Sequence, residues 1–121
     1  MKEEFQTIFD KLKRILADFE GDLIVKADGP ENYYLDTPFV EKYKKELFFG
    51  AAQIKKNYVS YHLMPVYMFP DLLDDISPGL KKRMQGKSCF NFKKVEPELF
   101  RELSELTRKG AERFRQEEAA S

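Results

Sequence analysis

The chain offers few of the groups from which chemistry is usually built. Cys89 is its only cysteine, so no disulfide can close within one chain and no multi-thiolate metal site can form. Packing must hold the fold. His62 is the only histidine, and neither a catalytic triad nor a carboxylate partner at helical spacing accompanies it. An excess of charge is missing too. Lys plus Arg equals Asp plus Glu at 21 each, which removes the overall field that would draw the molecule to nucleic acid or an anionic membrane. The longest apolar run is Leu47, Phe48 and Phe49 followed by Gly50, Ala51 and Ala52, far short of the roughly 18 residues of a spanning helix. The opening segment "MKEEFQTIFDKLKRIL" mixes acids and bases through its apolar positions and lacks the hydrophobic core of a secretory signal, so the cytoplasm is the expected compartment. A length of 121 residues suits a single domain, expected over 1–116 with 117–121 as a flexible tail.

What is present is a clear change of period. Phe5, Ile8, Phe9, Leu12, Ile15, Leu16 and Phe19 recur every three or four residues, which predicts a helix ending near Gly21. Leu99, Leu103, Leu106, Gly110 and Phe114 keep the same rhythm, and Pro97 fits a first turn where its missing N–H costs nothing. Between these helices the residues turn aromatic and β-branched with a period of two. Strands are expected at Leu23 to Lys26 and Tyr33 to Asp36, joined through "ADGPEN", and at Leu47 to Ile54 and Tyr58 to Met64, joined through Lys55, Lys56 and Asn57. Ser88 to Phe92 is a further strand, preceded by a short helix in "SPGLKKRM" with Ser77 as cap. Pro65 and Pro70 break "MPVYMFPDLLDDI" into loop and turn. The pattern predicts an α+β fold, an antiparallel sheet of about five strands packed in two layers against N- and C-terminal helices.

Gly86, Lys87 and Ser88 match the end of a phosphate-binding loop, but six residues separate them from Gly79, too many for that loop, and a strand rather than a helix should follow. Nucleotide binding of that kind is excluded. Lys81, Lys82, Arg83 and Lys87 form a basic cluster, which is either an anion site or the solvated face of a short helix. Alternation puts Tyr58, Ser60, His62 and Met64 on one strand face and Val59, Tyr61 and Leu63 on the other. His62 therefore shares a polar face, where an imidazole serves as hydrogen-bonding partner, base or ligand. Cys89 stands near basic residues that would favour a reactive thiolate, whereas a lone thiol in a strand is commonly a small buried side chain. Phe48, Phe49, Tyr58, Tyr61, Tyr67, Phe69, Phe90 and Phe92 exceed what a small core strictly requires, and tyrosines often keep the hydroxyl at a wet edge. Asp71, Asp74 and Asp75 lack the spacing of an EF-hand.

The run from Lys56 to Lys94, "KNYVSYHLMPVYMFPDLLDDISPGLKKRMQGKSCFNFKK", resembles the YdhG-like family of bacterial domains, and "VKADGPENYYLDTP" with the two terminal helices extends the likeness along nearly the whole chain. The resemblance implies a compact α+β domain. It also implies, through a relative described as a frataxin-like iron chaperone, an iron-carrying role in cluster or haem assembly. That role asks for an acidic ridge, because labile iron is held by carboxylate oxygens. Glu3, Glu4, Asp10, Asp18, Glu20 and Asp22 lie on or near the first helix, but Lys2, Lys11, Lys13 and Arg14 interleave with them. The leading expectation is a non-catalytic binding module, with no cofactor other than possible iron, that engages a small molecule or a protein through His62, Tyr67, Lys87, Ser88, Cys89 and Asn91. Neither nucleic acid nor a membrane is an expected partner.

Overall fold

A computed structural model of the chain describes residues 2–19, 21, 23–37 and 47–120. Helix α1 (Lys2–Ala17) leads into β1 (Ile24–Asp28) and β2 (Asn32–Asp36), then β3 (Phe48–Ile54) and β4 (Val59–Leu63). A short α2 (Met64–Met68), a 3-10 turn (Pro70–Leu73) and α3 (Pro78–Lys81) precede β5 (Cys89–Phe92) and the long α4 (Pro97–Ala120). The five strands form one sheet in sequence order, every neighbouring pair antiparallel. The expected α+β two-layer architecture is thus present.

Both hairpins form where the turn residues place them. Gly29 N–H donates to the Asn32 carbonyl at 2.8 Å in the first, and Lys55 N–H to the Tyr58 carbonyl at 2.8 Å in the second. Ser77 caps α3 as expected, its Oγ accepting from the Leu80 N–H while donating to the Glu102 carboxylate on α4. One stretch departs from the sequence reading: Met64–Met68 is helical where loop was expected. Pro65 lies in the first turn of α2, where a proline supplies a helical φ and gives up no intrahelical hydrogen bond, so it starts the helix rather than breaking it. The Pro70 segment likewise closes as a 3-10 turn.

The described helices pack on one side of the sheet. Leu12 and Leu16 of α1 and Leu103 of α4 are fully buried against Leu35, Phe49, Tyr61, Leu63, Phe90 and Phe92. Each large side chain buried this way contributes about 1.5–3 kcal/mol, so this interface dominates stability. Rings lock α4 onto it: Phe114 meets Phe49 edge-on at 5.7 Å and Phe100 meets Phe92 at 4.9 Å. Helix α1 comes so near β3 that a Cβ on Gly50 would stand 3.0 Å from both Leu16 Cδ2 and the His62 carbonyl oxygen. Glycine is what permits that approach. The polar link between Tyr61 and Thr107 inside the core is closed. Thr107 donates to the Leu103 carbonyl, so the buried Tyr61 hydroxyl supplies the proton for its own bond to Thr107 Oγ1.

Candidate functional site

The other face of the sheet is assembled from the alternate residues of the same strands. Register aligns Tyr34 with Ala51, Ala51 with His62, and His62 with Cys89, one row across four strands. A second row joins Asn32, Gln53, Ser60 and Asn91. Ala51 and Ser60, each 1% exposed, make the floor, while Tyr34, Phe48, His62, Cys89 and Asn91 are half-buried. Among the described residues no helix packs here.

Phe48 reaches this face through a break in alternation. Leu35 pairs with Gly50 and Asp36 with Phe48, leaving Phe49 as an extra residue on β3. The bulge sends Phe49 into the core and Phe48 outward, whereas strict alternation from Gly50 would have reversed them. Three rings then line up. Tyr34 and Phe48 lie 4.7 Å apart, tilted by 32°, and Phe48 meets His62 edge-on at 6.4 Å. The row is tilted at its first contact and T-shaped at its second, the latter a geometry that ring quadrupoles favour.

The polar groups around it have set roles. Gln53 Nε2 donates to Asn32 Oδ1 at 3.0 Å, and the Cys89 thiol donates to Asn91 Oδ1 at 3.2 Å, a bond that uses the amide oxygen of Asn91 and not its nitrogen. Burial lowers the His62 pKa, and the Lys55 ammonium lowers it further, so the imidazole is neutral at pH 7 and offers one donor and one acceptor. Burial raises the Cys89 thiol, with Lys55 and a backbone hydrogen bond opposing the shift only in part. The thiol is therefore protonated at neutral pH, which weakens the reactive-cysteine reading. Burial, then the Asp36 carboxylate, raises the Tyr34 phenol. No hydrogen bond to a carboxylate orients the His62 ring among the described residues.

The six residues singled out in the sequence fall into two places. His62, Cys89 and Asn91 stand on the open face, and Ser88 begins the same edge with its carbonyl accepting from Leu63 N–H at 2.9 Å. Tyr67 and Lys87 lie elsewhere, in a groove of about 560 Å³ beside α2 that Val66, Pro70 and Met84 also line, with Lys87 Nζ 6.0 Å from the centre of the Tyr67 ring. Gly86 adopts φ +82° in the turn before β5, and a strand follows the Gly-Lys-Ser triplet, as the alternation from Ser88 to Phe92 indicated. Tyr34, Asn32 and Gln53 were missing from the sequence reading of the site. The signal was present in β2, where Asn32, Tyr34 and Asp36 alternate with the buried Tyr33 and Leu35.

Beyond the open face, α1 and α4 enclose a cleft of about 540 Å³ lined by Asp10, Arg14, Asp18, Phe100 and Arg101. Two of the acids of the expected iron ridge thus share their cleft with arginines, and Glu20 and Asp22 lie outside the described residues. Among the described residues no three His, Cys, Asp or Glu side chains are grouped so as to hold a metal ion, and no helix is long and apolar enough to cross a membrane. Searches of protein-family models, of curated proteins and of solved structures return no match to this chain.

Proposed function

We propose that the protein is a binding module that takes a small, ring-bearing molecule on the open face of its sheet. The observation that carries this reading is the Tyr34, Phe48 and His62 row, three ring systems brought together on the face that no described helix covers. Half-buried rings beside the Asn91, Gln53 and His62 polar groups supply an apolar platform edged by a few hydrogen-bonding groups, the composition of small-molecule sites. A large protein partner fits less well. Val25 and Tyr67 are the exposed large hydrophobics among the described residues, and they form no broad apolar patch with the row.

The resemblance to the YdhG-like family favours a compact accessory domain and is compatible with this reading; its iron-carrying branch is the competing proposal. The test is chemical-shift mapping on the full chain with adenosine as a neutral aromatic probe. Shifts at Tyr34, Phe48, His62 and Cys89 that vanish in Phe48→Ala support the reading. Binding that is indifferent to Phe48→Ala refutes it, and tight binding in an anaerobic ferrous titration would put the iron carrier in its place.

A further inference from the structure

The open face does not end at the polar row. Beyond Asn91 it runs into a groove of about 770 Å³, bounded by Tyr58, Lys82, Gln85, Lys93 and the Arg83–Glu96 pair. The segment after α3 builds this groove by closing the edge of the sheet. Asn91 N–H donates to the Arg83 carbonyl at 2.8 Å, Gln85 N–H donates to the Cys89 carbonyl at 2.8 Å, and Met84 bridges Phe90. Met84 pairs with a residue that faces the core, so Arg83 and Gln85 project to the same side as Cys89 and Asn91.

Charge in the groove is lopsided although the chain as a whole is neutral. Glu96 is its one carboxylate, and Arg83 grips both oxygens, Nε at 2.6 Å and Nη2 at 2.7 Å. That fork cancels the pair's charge and fixes its geometry. The ammonium groups of Lys82, Lys93 and Lys94 remain; Lys94 also feels the Glu96 carboxylate, but no salt bridge engages any of the three among the described residues. Three cations around one concave space attract an anion of matching charge, and a phosphate monoester carries about −1.5 to −2 at pH 7. The Tyr58 hydroxyl and the Gln85 and Asn91 amides add neutral donors at the same place.

We propose that this groove is an anion subsite that receives the phosphoryl group of a small phosphate monoester, whose ring lies on the aromatic row. The ring half of this statement rests on the function proposed above; the anion half stands on the groove alone. Asn91 is the joint between them. It borders the groove and stands one outward-facing position, about 7 Å, from Cys89 on β5, whose register partner His62 is the near end of the row, and a nucleoside monophosphate spans that step. A nucleic-acid strand is the weaker occupant, because zero net charge gives no extended field for a polyanion.

The experiment uses the full chain and three probes: inorganic phosphate, adenosine and adenosine 5′-monophosphate. Inorganic phosphate is expected to shift the amides of Arg83, Gln85 and Lys93, and the monophosphate to bind more tightly than either other probe. The double variant Lys82→Gln/Lys93→Gln should weaken monophosphate binding by about tenfold, with unchanged melting and with a weaker dependence on salt. Phosphate that leaves the groove amides unmoved at millimolar concentration, or monophosphate binding untouched by the double variant, overturns the anion subsite. So does an oligonucleotide that outcompetes the monophosphate. Phosphate binding in the groove without any gain from the adenosine moiety would instead remove the ring platform and leave the anion subsite standing.

Discussion

The two faces of one sheet use neighbouring residues of the same strands for opposite ends. On the covered side Leu35, Phe49, Tyr61, Leu63, Phe90 and Phe92 are sealed beneath α1 and α4. On the other side Tyr34, Phe48, His62, Cys89 and Asn91 keep part of their surface in solvent, and among the described residues of these rows only the small Ala51 and Ser60 are closed off. Stability is concentrated on the first face. Adaptable polar and aromatic chemistry is left to the second, where a change costs the fold little.

The comparison breaks most visibly in the core. Leu103→Asp places a carboxylate where the leucine is fully buried, and it should abolish cooperative unfolding in a circular-dichroism melt, since an unpaired buried charge costs more than about 4 kcal/mol. A parent-like melt would show that the covered face does not carry the fold. A smaller effect is expected from Tyr61→Phe, which removes the buried hydroxyl's bond to Thr107 but leaves Thr107 bonded to Leu103. A loss of about 1 kcal/mol in urea unfolding is predicted.

Much of this arrangement was legible in the sequence, because periodicity reports which side of an element is buried. The helical stripe through Leu12 and Leu103 and the alternation of Val59, Tyr61 and Leu63 all point to the covered face, and both hairpins stand at their turn residues. What was not legible depends on register. No period announces the extra residue at Phe49, yet that bulge decides which of two adjacent phenylalanines joins His62. The separation of Tyr67 and Lys87 from Cys89 was hidden for a related reason. Tyr67 leaves the sheet on α2 directly after β4, and Lys87 lies in the turn before β5, beside Tyr67 rather than on the strand face.

Two finer predictions concern the open face. The His62 proton resonances should titrate with a midpoint below the ordinary 6.5, since burial and Lys55 both disfavour the imidazolium. The unfolded chain then binds the extra proton. The contribution of neutral His62 is intact above about pH 6.5 and is lost as pH falls through the lower folded value, a loss that His62→Gln should remove from urea unfolding curves. A midpoint at or above 6.5 would contradict this. The smallest effect is kinetic: Cys89, with its pKa raised by burial, should react with a thiol reagent at pH 7 more slowly than free cysteine. Faster labelling would assign it the reactive role.

The most direct test compares two adjacent residues, Phe48→Ala and Phe49→Ala, by equilibrium unfolding in urea. Phe49 is fully buried against Phe114, and its loss should cost about 3–5 kcal/mol. Among the described residues the ring partners of Phe48 are Tyr34 and His62 on the open face, and its loss should cost about 1 kcal/mol. Equal losses, or a larger one at Phe48, would contradict the division of the sheet into a face that holds the fold and a face left free to bind.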